Sequence, residues 1–278
     1  MFFTKFITRF QGTILYPEMK NKIKAFIKFP FNIISMILPS DIVIMGNDGT
    51  RGREVLIQLG VSRKKIKFWV NGTNQDVCVH GLDKNYILKK YKLKKETKVI
   101  LTVSRLEKWK RVDRAILAMK EVFKKNPKTI LVIVGDGNDR ERLENLSKSL
   151  NLNKQIIFSG AIKHNNVKYF INNCDLLLSL YDYSNLCNPV LEALRCGKTI
   201  ISIRDGSTDG ILIHNYNSIL IEKDKIKNEL PSKIIEIFNH DELKDKITIN
   251  AKKFSKKNIL TWPERMDIEV KEINKILN

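Results

Sequence analysis

Cysteine, proline, glycine, histidine and arginine are all scarce in this chain of 278 residues, and each shortage excludes something. The four cysteines, Cys78, Cys174, Cys187 and Cys196, include no Cys-x-x-Cys pair. They read as reduced thiols of a cytosolic protein, against a disulfide scaffold or a zinc ribbon. Seven prolines and 13 glycines exclude collagen-like and linker-like sequence. No Asp-x-Asp triplet occurs. The most apolar stretch, Phe26 to Pro39, is interrupted by Lys28, Pro30 and Asn32 and is too short to cross a bilayer. The opening MFFTKFITRF carries Lys5 and Arg9 inside its apolar run and lacks a cleavage site, so it does not read as a signal peptide.

What the chain has in excess is lysine. Lys+Arg total 50 against 30 Asp+Glu, a net charge of +20, and 38 of the 50 are Lys. Such charge suits an anionic partner: nucleic acid, an acidic membrane or a phosphate-bearing small molecule. Lysine abundant together with Asn and Ile is also what an AT-rich genome writes. Residues 1–95 alone carry a net +12. No nucleic acid is expected as partner, because Arg is scarce and no aromatic platform is interleaved with the basic residues. Lys20, Lys22, Lys24 and Lys28 flank the apolar stretch that begins at Phe26. This segment reads either as a domain helix with its apolar face in a core or as a basic helix at a membrane interface.

From Val99 onward, short apolar runs alternate with helical patterns. Val99–Val103, Thr129–Val134, Ile156–Phe158, Leu176–Leu180, Thr199–Ile203 and Ser218–Ile221 read as strands. Val112–Lys125, Arg140–Leu150, Val167–Asn173 and Pro189–Arg195 read as helices, and Lys225–Leu277 as mostly helix with a break near Leu260–Pro263. Continuous apolar strands separated by helices indicate a doubly wound parallel sheet of an α/β domain, with ligand at the carboxyl ends of the strands. Residues 1–95 repeat the pattern in shorter form: strands at Phe6–Phe10, Asp41–Met45 and Ile66–Val70, helices at Lys20–Leu38 and Arg53–Leu59. The expected division is a partial Rossmann-like domain with linker over 1–95, a second Rossmann-like domain over 96–258, and a terminal helix over 259–278 packing back toward the first.

Three loops after strands of the second domain carry groups suited to phosphate. Arg105 and Lys110 follow the first strand; a guanidinium holds two phosphate oxygens and an ammonium adds a point charge. Gly135 and Gly137 allow close backbone approach. Asn188 reads as an N-cap and Pro189 as a first helical residue, leaving the N–H groups of Val190 and Leu191 at a helix N-terminus. Glu192, one step further, suits a pair of ribose hydroxyls. Taken singly, these residues are equally surface charges, a helix start and a first-turn carboxylate; their weight lies in standing together at the strand ends of one sheet.

The segments VSRLEKWKRVDRAI, LVIVGDGNDRERL, IIFSGAI, NPVLEALRCGKTII and TWPERM resemble the carboxyl-terminal domain of the retaining glycosyltransferases of family 4, which have the GT-B fold. TRFQGT, SDIVIMGNDGT and KFWVNGTN resemble the later half of that family's amino-terminal domain. The resemblance implies a hexosyltransferase taking a UDP- or GDP-linked sugar, with no metal and no cofactor besides the donor. Arg105 and Lys110 would be the catalytic cations at the diphosphate. Glu192 would hold the ribose, Val190 and Leu191 would offer backbone donors, and Gly135 and Gly137 would line the cleft. Ile162 would meet the base, with Asn188 and Pro189 opening the donor-site helix. The acceptor would be a glycan or a lipid-linked or polysaccharide precursor, reached in the cytoplasm, with peripheral contact to the inner face of an anionic membrane.

The sequence departs from the family in three places. Ser184 stands where the family has a glutamate eight positions before Glu192. Either Ser184 contacts the sugar, or Asp182 reaches in, or the contact is lost. Arg111 replaces the glycine usual after the loop lysine. The strands and Gly-rich loop that open the family's first domain are absent, as is its histidine near Phe10–Gln11, so the chain reads as truncated at its start. His80, His164, His214 and His240 do not replace that histidine; His164 follows the Gly160–Ile162 strand end and either lines the cleft or, as a lone loop histidine more often is, is solvated. Two other functions stay open: an inactive nucleotide-binding remnant, or a basic protein binding a membrane or nucleic acid.

Overall fold

The computed structural model describes residues 4–78, 83 and 85–277, which fall into two compact units. His80 lies outside the described residues. The first unit comprises residues up to Thr73, Leu186–Asn188 and the segment from Leu260; the second comprises Asn74–Asn185 and Pro189–Ile259.

The first unit holds a parallel three-stranded sheet of β1 (Ile7–Phe10), β2 (Ile42–Asn47) and β3 (Ile66–Val70), in that order, with α1 (Lys22–Lys28), α2 (Pro30–Ile37) and α3 (Gly52–Gln58). The single helix expected over Lys20–Leu38 is two. Asn21 caps α1 by accepting from Lys24 N–H at 3.0 Å. Phe29, forced out of helical geometry by the proline after it, ends α1, and Pro30 opens α2 as its first residue. The core gathers Leu15, Ala25, Ile33, Met36, Met45 and Leu56. Helix α11 (Trp262–Leu277) belongs to this unit. It starts with a capping box in which Thr261 N–H donates to Glu264 Oε2 at 2.8 Å. Its Arg265 and Glu269 form a buried ion pair at 3.0 Å, with the guanidinium 4.3 Å from the Trp69 ring centroid.

The second unit begins with the short α4 (Tyr86–Lys90), followed by β4 (Lys98–Val103), α5 (Val112–Lys125), β5 (Thr129–Val134), α6 (Arg140–Ser149), β6 (Ile156–Gly160), α7 (His164–Asn173), β7 (Leu176–Ser179), α8 (Asn188–Arg195), β8 (Thr199–Arg204), β9 (Ile219–Glu222), α9 (Ile226–Asn239) and α10 (Asp241–Asn258). All neighbours pair in parallel, in the order β6-β5-β4-β7-β8-β9. Chain direction across the sheet reverses between β4 and β7, which makes their carboxyl ends the topological switch point. Ile100, Leu131, Ile133, Leu176, Leu178 and Ile201 are wholly or almost wholly buried in one core with the helices. The strands are apolar at nearly every position because helices cover both faces.

The cysteine reading is corrected for one pair. Cys78 and Cys196, 118 residues apart, form a disulfide with Cα atoms 5.3 Å apart. Cys174 is a buried thiol and Cys187 a half-buried one. Among the described residues, no helix is long and apolar enough to cross a membrane.

Candidate functional site

The loop that leaves β4 is fastened to the loop that leaves β5. Ser104 N–H donates to Val134 O at 3.0 Å, Leu106 N–H to Asp136 O at 2.8 Å, and Asp139 N–H to Leu106 O at 2.9 Å. Glycine is needed for this approach. Gly135 has φ 136°, and a Cβ there would lie 1.8 Å from Ser104 O; one at Gly137 would lie 2.5 Å from Leu106 O. The close approach expected of these glycines is thus made first to the neighbouring loop.

Arg105 and Lys110, paired in the sequence reading, stand in different surroundings. Arg105 is exposed, and no described side chain pairs with it. Lys110 is buried, with Nζ 4.0 Å from the ring centroids of both Trp109 and Tyr181. Such a cation–π cage retains a charge in a site that excludes water. Trp109 also stacks on Tyr183 at 4.5 Å with the rings 6° from parallel. No sequence signal marks this cage, because Tyr181 arrives from the loop that follows β7, the spatial neighbour of β4.

The loop after β7 is tightly held. Asn185, fully buried, accepts from Tyr181 N–H at 3.0 Å and from Ser179 Oγ at 3.1 Å, and donates to Tyr181 O at 3.0 Å. Tyr181 OH donates to Val103 O at 3.0 Å. Ser184 is buried in the left-handed region at φ 68°. Asp182, one of the stand-ins considered for the missing glutamate, is already committed. It pairs with Arg114 at 2.9 Å, Lys223 at 3.2 Å and Arg111 at 3.6 Å. Burial works against its charge, but the Lys223 hydrogen bond and the two guanidinium groups outweigh it and hold the carboxyl below its ordinary range. Arg111 has φ 47° and ψ 41°, so the family's glycine at this position answers a left-handed backbone; here Arg111 adopts it while bonded to Asp113 at 3.0 Å.

Asn188 is the first residue of α8 and not its cap: its Oδ1 accepts from Asn71 Nδ2 at 3.0 Å. Pro189, Val190 and Leu191 complete the first turn, whose N–H groups have no intrahelical acceptors. Glu192 is 4% exposed. Burial, with the charge of Asp76 nearby, raises its carboxyl to about 7. His164, for which the sequence leaves both a cleft position and solvent, opens α7 with Nε2 3.8 Å from Glu192 Oε1, and its own side chain is 58% exposed. Asp76 is ion-paired with Lys168. These residues enclose a cavity of about 10 Å³, room for one water. Sequence reasoning missed Asp76 and Lys168. Ile162 is half-buried two residues beyond β6. His214 accepts from Leu220 N–H at 3.0 Å, and His240 lies against Glu236 O; neither joins the site.

The second unit therefore brings Arg105, Lys110, Gly135, Gly137, Ile162, Ser184, Val190, Leu191 and Glu192 to the carboxyl side of β4, β5, β6 and β7. Two cations, a helix N-terminus and a protonatable buried carboxyl suit an anion bearing a neutral polar group.

Residues 83–254 match the family model for glycosyl transferases group 1. An uncharacterized glycosyltransferase of Methanocaldococcus jannaschii, MJ1069, is 32% identical over 230 residues, spanning 80% of this chain and 57% of the relative. N-acetyl-alpha-D-glucosaminyl L-malate synthase of Bacillus anthracis is 24% identical over 211 residues, 68% of this chain and 54% of the relative. The chain thus spans about half the length of the curated relatives it matches. Among solved structures, Anabaena HepE in complex with UDP-glucose superposes with a TM-score of 0.81 at 18% identity, covering 96% of this chain and 72% of HepE. WaaG, a glycosyltransferase involved in lipopolysaccharide biosynthesis, gives 0.77 at 17% identity, covering 94% and 73%. At these identities the likeness is one of fold, that of the GT-B glycosyltransferases.

Proposed function

The chain belongs to the glycosyl transferases group 1 family, and on that premise we propose that it transfers a sugar of hexose type from a UDP- or GDP-linked donor to an acceptor hydroxyl, with retention and without a metal. The observation that carries this reading is the meeting of Arg105, caged Lys110, the α8 N-terminus and buried Glu192 at the switch point of one sheet. In this reading Arg105 and Lys110 bind the diphosphate and stabilise the charge that grows on it as the glycosidic bond breaks. The N–H groups of Val190 and Leu191 add donors to the same phosphates. Glu192 accepts from the ribose hydroxyls, Ile162 packs on the base, and Gly135 and Gly137 keep the two phosphate-side loops together. Asn188 and Pro189 set the start of α8. Ser184 faces the sugar in place of the family glutamate, since Asp182 is committed to its salt bridges. The acceptor hydroxyl attacks from the face the diphosphate leaves. No cofactor beyond the donor takes part.

The acceptor is proposed to be a glycan or a lipid-linked or polysaccharide precursor, met at a cytoplasmic membrane face. Ile23 and Ile27 on α1 and Phe31 on α2 are 75%, 75% and 84% exposed, beside Lys20, Lys22, Lys24 and Lys28. An apolar face rimmed by lysines fits an anionic interface. Vesicles containing anionic lipid should pull down the protein, neutral vesicles should not, and Phe31→Ser should weaken the binding.

Calorimetry with UDP, GDP and ADP tests the donor site. One of them should bind, and Arg105→Ala should weaken it about 10- to 100-fold, the worth of charge-assisted hydrogen bonds. Failure of a folded sample to bind any of the three overturns the reading.

A further inference from the structure

A cavity of about 820 Å³ opens in the second unit at the opposite end of the sheet, beside the amino ends of β4, β7 and β8. Its walls carry Lys95, Lys98, Arg195, Lys198 and Lys252. Two acids line it as well, and both are engaged elsewhere. Glu96 pairs with Lys128 at 3.6 Å; Asp175 accepts from Val99 N–H at 2.9 Å and from Lys244 at 3.1 Å. Lys198 donates to the Asn172 and Cys174 carbonyls, which leave its charge uncompensated. The cavity is therefore a concentrated positive field, and the Cys78–Cys196 disulfide forms part of its wall.

We propose that Cys78–Cys196 is an exchange site for small anionic thiols, which the basic cavity draws in and orients. Cationic surroundings favour thiolates, both the attacking one and the one released. In the exchange, an incoming thiolate attacks Cys78 Sγ, since Cys78 is half-buried and Cys196 buried. A bond forms between the incoming sulfur and Cys78 as the Cys78–Cys196 bond breaks. The electron pair leaves on Cys196 as a thiolate, while the proton of the incoming thiol has gone to solvent. A second thiolate attacks the mixed disulfide, releasing Cys78 as a thiolate and a small-molecule disulfide. Cys174 is no competitor: it is buried, with its thiol pushed up to about 12 by desolvation.

The link has structural reach. Cys78 ends the turn Gln75–Cys78 that carries Asp76, and Cys196 directly follows α8, which carries Glu192. Exchange removes the covalent tie between that turn and that helix.

The test uses the air-oxidised full chain and three thiols of like size: mercaptoethanesulfonate, mercaptoethanol and cysteamine, which are anionic, neutral and cationic. Each is supplied at the same thiolate concentration, and products are trapped by alkylation and mapped by mass spectrometry. The expected order is anionic, neutral, cationic, with the extremes differing about tenfold at low salt and converging at 1 M salt. A mixed disulfide on Cys78 is expected as the first product. Lys98→Gln/Lys252→Gln should narrow the spread; should that variant fail to fold, the salt series on the unmodified chain carries the same test. Equal rates for the three thiols, first reaction at Cys187 instead, or absence of the Cys78–Cys196 link in the oxidised chain would overturn the proposal.

Discussion

Arg114 Nη2 lies 2.9 Å from Asp182 Oδ1, while Arg114 Nη1 donates to Leu180 O at 2.6 Å. One guanidinium on α5 thereby holds both the end of β7 and the loop that leads to Ser184. Asp182→Asn should cost about 1.5–3 kcal/mol, the range for hydrogen bonds to charged groups. Nucleotide affinity should change less than threefold, because the proposed donor contacts do not include this carboxylate. The sign of the pH effect follows from the lowered carboxyl. Its contribution is complete above the unfolded-chain value near 4 and is lost as pH falls through the lower folded value. Urea titrations at falling pH should show the unmodified protein losing stability more steeply than Asp182→Asn below about pH 4.

Gly135→Ala tests the seam between the loops that leave β4 and β5. A Cβ would stand 1.8 Å from Ser104 O at a backbone angle that side chains rarely adopt. Denaturant unfolding should show a loss of about 2–4 kcal/mol from strain and displacement. Since the displaced strand end leads into Arg105, nucleotide binding should weaken in the surviving folded fraction. Unchanged stability would mean the two loops do not meet as described.

Much of the second unit is legible in the sequence because its strands are covered on both faces. Ile130–Val134 and Ile200–Ile203 are apolar at almost every position, and no partner information is needed to see them. The loops carrying Arg105, Gly135 and Asn188 are legible for the same reason, as they start where these runs stop. The two-helix break at Phe29–Pro30 is a local rule that the long apolar pattern obscured. What sequence order conceals is the product of sheet order. Tyr181 meets Lys110, and Asp76 meets Lys168, only after β4 and β7 pair and α7 crosses over them. The Cys78–Cys196 link lacks any spacing motif and follows from the same folding. By sequence alone Asp182 is a chemically reasonable stand-in for the glutamate; its three cationic partners, which come from distant parts of the chain or from across the loop, engage it elsewhere.

Arg265→Met probes the first unit. Arg265 and Glu269 are 4% and 3% exposed, and Arg9 reaches the same glutamate at 2.7 Å from a half-exposed position. Removing Arg265 strips the buried partner and the contact with Trp69. A loss of about 3–5 kcal/mol is expected for a buried charge left poorly compensated. Arg265→Met with Glu269→Met should recover most of it, since two apolar side chains replace a pair that was costly to desolvate. Thermal unfolding of the two variants side by side distinguishes a pair whose members depend on one another from two independent contributions.

Glu192 gives the sharpest dependence on pH. Burial, then the Asp76 charge, raises its carboxyl to about 7, above the ordinary value of 4.5. Its contribution to stability is therefore complete below the unfolded value and is lost as pH rises through the folded one. Between pH 4.5 and 7 the unmodified chain should lose stability that Glu192→Gln keeps, by about 1–3 kcal/mol at pH 8. Nucleotide affinity should move the other way. A carboxylate accepts both ribose hydroxyls better than a carboxylic acid does, so binding favours the ionised form. UDP or GDP should bind about tenfold more weakly at pH 6 than at pH 8, as expected when one proton must leave from a group of pKa near 7. The terminal phosphate of the nucleotide titrates in the same range, and Glu192→Gln isolates its share: whatever pH dependence survives in that variant belongs to the ligand. A profile identical in the two proteins would overturn the proposed ribose contact of Glu192, while leaving the proposed diphosphate contacts of Arg105 and Lys110 untouched.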